Sequence, residues 1–206
     1  MKGKALQEKL LAAVALLLAL CIAGLLLFWH PVVEERALPR PGLPPGGDFR
    51  LDSAQGKITL PDYRGKIVAL AFGYTYCPDI CPTTLATLAD ALEQLEPTER
   101  QKTVAIFVSV DPARDTVAHL KEYVAFFDPG IIGATGSPAA LAELGQRYAL
   151  YYDRPKENNA GENYIIDHSA DIYLIDGQGQ LRDKIAHGTT STAVAQAMRK
   201  LLKGNR

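Results

Sequence analysis

Two largely apolar stretches, KIVALAFG at residues 66–73 and VAIFVSV at residues 104–110, most limit the folds open to this chain. A strand with one solvated face alternates apolar and polar residues, whereas an almost continuous apolar stretch is typical of a strand buried on both faces. Such strands require helices packed against the sheet. The sequence therefore predicts an α/β domain with a buried central sheet.

Further strands and helices alternate along the rest of the chain. Helices are predicted at residues 82–95, 115–127, 138–148 and 190–202, with Asp115 and Ser137 as N-caps of the second and third. The remaining predicted strands cover residues 48–51, 57–60, 131–134 and 149–152, and a hairpin at residues 170–175 and 181–186. This alternation of strands and helices predicts a mixed sheet flanked by helices.

Residues 10–29 form an unbroken apolar run without a charge, long enough to cross the ~30 Å hydrocarbon core of a bilayer as a helix. A cleaved signal peptide is the alternative, but the run exceeds an ordinary signal core and no A-x-A cleavage site follows it. Cys21 suggests lipoprotein processing, yet Leu20 stands where a small residue is expected. We therefore expect a retained transmembrane anchor.

The charges around this run predict its orientation. Lysines precede it within residues 1–9 and acidic residues follow it, which places the N-terminus in the cytoplasm. Residues 30–47 are rich in proline and glycine and are predicted to be a tether, followed by a domain at residues 48–206. The expected location is a single-pass inner-membrane protein whose domain faces the periplasm, a compartment that permits disulfides.

Net charge is −1, so the chain carries no basic surface and nucleic acid is not an expected partner.

Two cysteines and one histidine are the candidate metal ligands. Cys77 and Cys81 come directly after the first buried strand, and on a helix their spacing would place both sulfurs on one face. A helix N-terminus favours thiolates. With the imidazole of His168, from a polar loop further along, they form a soft ligand set that suits Cu(I). Asp167 or Asp171 is expected to accept the second ring N–H of this histidine.

Other interpretations of these residues remain open. A disulfide between Cys77 and Cys81 would close a very short loop and add little entropic stability. A lone histidine near a strand is often a hydrogen-bonded core residue, and two cysteines with one histidine also suit zinc. At Asp111, Arg114 and Asp115, a turn and a helix cap are favoured over a role at the site.

Three segments of the sequence resemble the SCO/SenC family of copper-binding assembly factors for cytochrome c oxidase. They are FGYTYCPDICPTTL at residues 72–85, FVSVDPARDT at 107–116 and YIIDHSADIYLID at 164–176. The resemblance covers roughly residues 48–202. Tyr76 departs from it, because many relatives carry histidine there, but that position is not a ligand of the family.

This resemblance implies a thioredoxin-like fold and a copper site, holding Cu(I), Cu(II) or both, with Cys77, Cys81 and His168 as its ligands. It also implies the partners of a copper metallochaperone. These are cytochrome c oxidase subunit II, whose dinuclear copper site would receive the metal, and a periplasmic copper donor.

A thiol-disulfide oxidoreductase acting on the cysteines of subunit II is the alternative function. Both functions use the cysteine pair, but only copper delivery needs His168. Thioredoxin-type enzymes have a CxxC pair and a cis-proline before a late strand, whereas this chain has CxxxC and no proline between Lys156 and Asp171. A peroxiredoxin would need proline and threonine where Leu70 and Tyr74 stand. Copper delivery, without enzymatic turnover, is therefore the expected function.

Overall fold

The computed structural model describes residues 7, 11, 14–18, 21, 22, 24, 42–153 and 164–204. The chain divides into two compact units, residues 1–37 and 38–206. In the first unit the described residues are helical. No helix within the described part of the chain is long and apolar enough to cross a membrane. More than half of the predicted anchor, residues 10–29, lies outside the described residues, as do residues 30–41 of the predicted tether.

The second unit contains nine described strands. They are β1 (Arg50–Ser53), β2 (Gly56–Thr59), β3 (Ile67–Gly73), β4 (Thr103–Ser109), β5 (Ile131–Thr135), β6 (Tyr152–Asp153), β7 (Asp167–His168), β8 (Ile172–Ile175) and β9 (Leu181–Ile185). Seven of them form one sheet in the order β2-β1-β5-β4-β3-β8-β9, and β6 pairs with β7 in a second, two-stranded sheet. Strands β3, β4 and β5 are parallel, whereas β1 and β8 run antiparallel to their neighbours β5 and β3. The predicted mixed sheet is confirmed.

Helices flank this sheet, as the sequence predicts. The described helices of the second unit are α1 (Ile80–Glu93), α2 (Pro97–Gln101), α3 (Val117–Ala125), α4 (Pro138–Tyr148) and α5 (Ser191–Gly204), with a 3-10 helix at Leu60–Tyr63. Helix α1 packs against α5 and β3, and α3 packs against β1 and β5. The apolar stretches at residues 66–73 and 104–110 form β3 and β4 in the middle of the sheet, and every residue of β3 is buried.

Local signals set the ends of the helices, with one error in the prediction. Ser137 caps α4 as expected, since its hydroxyl accepts the Ala140 N–H at 3.2 Å. The predicted cap Asp115 is wrong, because Thr116 caps α3 and accepts the His119 N–H at 3.2 Å. The short α2 was not predicted, and the strand predicted at residues 149–152 is the two-residue β6.

The topology brings three loops to one edge of the sheet. Because β3 and β4 are parallel and in register, Gly73 and Ser109 end side by side, and the Val110 N–H donates to the Gly73 carbonyl at 2.8 Å. Strand β8 is antiparallel to β3, so the segment that leads into β8 lies at this same edge. The segments carrying Cys77 and His168 therefore meet there.

Residues before the predicted domain boundary contact α4. The Gly46 N–H donates to the Arg147 carbonyl at 2.8 Å, and the Tyr148 hydroxyl donates to the Gly47 carbonyl at 2.8 Å. The domain start at Asp48 remains a prediction.

Candidate metal centre

The structure brings all three predicted ligands together. The sulfurs of Cys77 and Cys81 and a ring nitrogen of His168 lie within 4.8 Å of one another, a group that could hold a metal ion. The Cys81 Sγ is 3.2 Å from the His168 Nε2. Both cysteines are free thiols. Within the described residues this is the one cluster of three such donor groups.

The two cysteines are not one turn apart on a helix, and that part of the prediction is wrong. Helix α1 begins at Ile80, so Cys81 lies in its first turn, whereas Cys77 lies in the preceding loop. A backbone hydrogen bond of 3.3 Å from the Cys77 N–H to the Tyr74 carbonyl turns this loop. The turn, rather than helical spacing, directs the first sulfur toward the second.

Glycine at the end of β3 makes room for the Cys81 sulfur. A Cβ atom placed on Gly73 would lie 2.3 Å from the Cys81 Sγ and 2.9 Å from the Phe107 ring. A contact of that length is impossible without displacement of the sulfur or the strand. Cys81 itself is only 2% exposed, so it has little space into which to move.

Backbone contacts hold the imidazole of His168 in a defined orientation. His168 pairs with Tyr152 across the β6–β7 ladder, and its Nδ1 lies 2.8 Å from the Ser169 carbonyl oxygen. A carbonyl only accepts, so Nδ1 donates to it, and Nε2 is left facing the two sulfurs. The expected acceptors Asp167 and Asp171 are therefore wrong. Metal-bound histidines commonly donate their other N–H to a carbonyl in this way.

The two thiols have opposite electrostatic environments. A hydrogen bond from the Cys81 thiol lowers the pKa of Cys77 to about 3, and hydrogen bonds from His168 and from backbone N–H groups act in the same direction. The same bond, together with burial, raises the pKa of Cys81 far above its usual value. Burial alone would lower the pKa of His168, but hydrogen bonds to Cys77 and the Ser169 carbonyl raise it overall. The first thiolate therefore forms on Cys77.

The loop between β4 and α3 supports the cysteine loop, a role that the sequence analysis considers but favours less than a turn and a helix cap. Asp115 is fully buried and accepts the Thr75 N–H at 2.9 Å and the Thr75 hydroxyl at 2.5 Å. The Ser109 hydroxyl donates to the same carboxylate at 2.5 Å. Thr75 stands two residues before Cys77, so Asp115 fixes the start of the ligand loop. A buried carboxylate needs such partners, and the only signal was the position of Asp115 just after a buried strand.

Exposed apolar side chains border the ligands. Tyr76 and Ile80 directly precede the two cysteines and are exposed, as is Ile165, three residues before His168. Tyr151 is also exposed, and its carbonyl accepts the Ser169 N–H at 2.8 Å. These four side chains, Tyr76, Ile80, Tyr151 and Ile165, are called the apolar rim below.

The solved structures most useful for comparison come from a bacterium and from yeast. Bradyrhizobium japonicum ScoI, a structure with copper bound, is 36% identical with a TM-score of 0.68, and the match covers 76% of this chain and 99% of that one. Yeast Sco1 with copper bound is 32% identical with a TM-score of 0.71, and the match covers 78% and 89% of the two chains. Both share the fold described above.

Proteins of the same kind are also found when sequences alone are compared. The mitochondrial protein SCO2 of Saccharomyces cerevisiae is 39% identical over 141 residues, which is 68% of this chain and 47% of that protein. The SCO2 homologue of Bos taurus is 38% identical over 157 residues, 75% of this chain and 58% of its own length. The chain thus spans about half the length of these relatives. The SCO1/SenC family model matches residues 39–203, and the chain belongs to the SCO1/SenC family.

Proposed function

We propose that Cys77, Cys81 and His168 bind copper. The observation that carries this proposal is the convergence of two sulfurs and one imidazole nitrogen within 4.8 Å, with Nε2 of His168 3.2 Å from the Cys81 sulfur. Thiolate ligands favour Cu(I), and imidazole accommodates both oxidation states. The copper-bound relatives from Bradyrhizobium and yeast support copper over zinc at such a site.

We further infer that the chain is a metallochaperone for cytochrome c oxidase. In this proposal the copper is cargo that passes to the dinuclear copper site of subunit II, and a periplasmic protein supplies it. His168 is only partly buried and the apolar rim is exposed, so a partner can reach the ligands from outside. The role in oxidase assembly is the one that the family implies.

The membrane anchor belongs to the same proposal. Residues 10–29 carry no charge and are long enough to span a bilayer. With lysines on the N-terminal side, the domain from about residue 48 would face the periplasm, on a proline-rich tether of residues 30–47. This arrangement would hold the copper site near a membrane-bound oxidase.

Thiol-disulfide exchange with the cysteines of subunit II is the second candidate function. The observation that favours it is the pair of free, adjacent thiols, of which Cys77 has a pKa lowered to about 3 by hydrogen bonding from Cys81. Such a Cys77 thiolate would attack a disulfide of the partner, release one of its sulfurs as thiolate and form a mixed disulfide. Cys81, once deprotonated, would then bond to Cys77 and release the partner's second sulfur, so that the partner is reduced and this chain is oxidised to the Cys77–Cys81 disulfide. This function needs both cysteines but not His168.

Replacing His168 with alanine separates the two functions. The substitution removes the nitrogen ligand and leaves both thiols, so Cu(II) affinity should fall more than Cu(I) affinity. In cells that make an oxidase with a dinuclear copper site, His168→Ala should impair oxidase activity at limiting copper, and added copper should partly restore it. Cys77→Ser serves as the control that disables both functions. Full activity with His168→Ala, alongside complete loss with Cys77→Ser, would favour the reductase.

A further inference from the structure

One loop contacts both of the segments that carry the ligands. Residues 110–116, between β4 and α3, lie beside the cysteine loop and beside the segment that leads to His168. We propose that Arg114, held by Asp111 and packed on Tyr164, positions His168 against the two cysteines. These three residues are called the clamp below. The proposal rests on the proposed copper site and names positioning residues for it.

On the side of His168, the clamp holds the chain four residues before the ligand. The Tyr164 hydroxyl donates to Asp111 at 2.7 Å, and the Arg114 guanidinium carbon lies 3.5 Å from the centre of the Tyr164 ring. A planar cation over an aromatic face is attracted by the ring electrons, and burial strengthens that attraction. Tyr164 is therefore fixed by two different contacts.

On the side of the cysteines, the same guanidinium packs against the ligand loop. Its central carbon lies 4.7 Å from the Tyr76 ring centre and 5.5 Å from the Tyr74 ring centre. The Tyr74 hydroxyl accepts the Ile166 N–H at 3.1 Å, which ties the cysteine loop directly to the chain two residues before His168. One cation thus joins the two segments whose separation sets the distance between sulfur and nitrogen.

The ion pair at the centre of the clamp is largely shielded from water, whereas Tyr164 is partly buried. Asp111 is fully buried and its backbone N–H donates to the Ser109 hydroxyl at 3.0 Å. The Arg114 side chain is 13% exposed, and its Nε donates to Asp111 at 2.6 Å. A charge pair shielded from water resists separation, because separating the two groups leaves an unpaired charge out of water. The backbone of His168, by contrast, lies on a ladder of only two residue pairs, which holds that segment weakly although the Ser169 carbonyl orients the ring.

Arg114→Lys tests the clamp while preserving the charge. Lysine cannot reproduce the planar stacking surface, so the contacts to Tyr164 and Tyr76 are lost. Copper(II) affinity should fall by roughly 10-fold to 100-fold, as for other residues that orient a metal ligand. Arg100→Lys is the matched control, since Arg100 is a partly buried arginine that donates to both oxygens of Asp128 at 3.2 Å, away from the ligands. It should leave copper affinity unchanged.

A double-mutant cycle distinguishes positioning from general loss of stability. If Arg114 acts through His168, adding Arg114→Lys to His168→Ala should weaken Cu(II) binding no further. The proposal would be overturned if Arg114→Lys weakened Cu(II) binding equally in the native and the His168→Ala backgrounds. It would also be overturned if Arg114→Lys alone left the Cu(II) affinity unchanged. Tyr164→Phe, which removes only the hydroxyl bond to Asp111, should give a smaller loss in the same direction and covers the case in which Arg114→Lys does not fold.

A metal-free measurement keeps this proposal separate from the proposed function. Hydrogen exchange of the Ile166 amide, which is bonded to Tyr74, should accelerate at least several-fold in Arg114→Lys but not in Arg100→Lys. Unchanged exchange would count against the clamp even if copper binds as proposed. If the native chain binds no copper but exchange is still faster in Arg114→Lys, the clamp is retained and the copper site is rejected.

Discussion

The two cysteines occupy different positions, and this difference gives them different chemistry. Cys81 is seated against Gly73 at the start of α1, whereas Cys77 lies in a turn and is 8% exposed. The hydrogen bond between the two sulfurs places the shared proton on Cys81, because Cys77 also receives bonds from backbone N–H groups. The more nucleophilic sulfur is therefore that of Cys77, the less deeply buried of the two, and the protonated sulfur is that of Cys81.

Alkylation at low pH tests this asymmetry. The pKa of Cys77 is lowered to about 3, far below an ordinary thiol, so at pH 5 it should be thiolate and Cys81 thiol. Only thiolates react readily with iodoacetamide. Mass spectrometry of the reduced, metal-free domain should find Cys77 modified first, and urea should remove the preference because both pKa values then return to the ordinary range. Equal labelling of the two cysteines in the folded domain would contradict this assignment.

The end of strand β3 and the start of helix α1 act as one structural element at the site. Gly73 closes β3, and the space that it leaves is filled by a sulfur from α1. The sequence predicted both the strand and the helix, because a continuous apolar stretch and a run of leucines specify them locally. It did not predict the turn that carries Cys77, since that turn depends on the contact between Thr75 and Asp115, forty positions apart.

Gly73→Ala should disturb the metal site as well as the fold. The added Cβ overlaps the Cys81 sulfur, and such overpacking destabilises a protein by about 1–3 kcal/mol. Gly133→Ala is the matched control, because its Cβ would lie 2.8 Å from the Leu120 carbonyl oxygen, away from the cysteines. Urea unfolding should show a lower free energy of unfolding in both variants, whereas copper titration should show weaker binding only in Gly73→Ala. Equal copper affinity in the two variants would refute the close fit around Cys81.

The β6–β7 ladder is an element that the sequence does not predict. His168 was placed in a polar loop, but it lies in a strand of two residues that pairs with Tyr152. Two residues are too few to leave a periodic pattern, so only the tertiary contact creates the strand. The role of His168 as a candidate ligand came from residue chemistry and the family motif, and its orientation by the Ser169 carbonyl came only from the structure.

At the scale of the whole molecule, the folded unit includes residues before Asp48. The buried Tyr148 hydroxyl donates to the Gly47 carbonyl, and Gly46 is bonded to Arg147. A chain shortened to begin at Asp48 should fold, but its unfolding free energy should be about 1–3 kcal/mol below that of a chain beginning at Gly42. Urea midpoints of the two shortened chains provide the comparison. Equal midpoints would show that residues 42–47 contribute nothing to the stability of the domain.

The apolar rim predicts how a recipient protein would meet the copper site. Tyr151→Ser and Ile165→Ser together should leave copper stoichiometry unchanged but slow transfer to the proposed recipient, the copper-binding domain of subunit II, since an apolar anchor at an interface centre can contribute more than about 1 kcal/mol. Phe126→Ser is the matched control, an exposed aromatic residue in the loop after α3. Equal transfer rates in all three proteins would exclude the rim as the contact surface.

Copper coordination in the purified chain shortened to begin at Gly42 tests the central claim most directly. The reduced domain should bind one copper per chain, and X-ray absorption should show two sulfur ligands and one nitrogen ligand. After Cys77 and Cys81 are oxidised to a disulfide, tight binding should disappear, because a disulfide offers no thiolate. Equal copper retention by the reduced and oxidised domain, or the same sulfur and nitrogen count in Cys77→Ser, would contradict the assignment of Cys77, Cys81 and His168 as copper ligands.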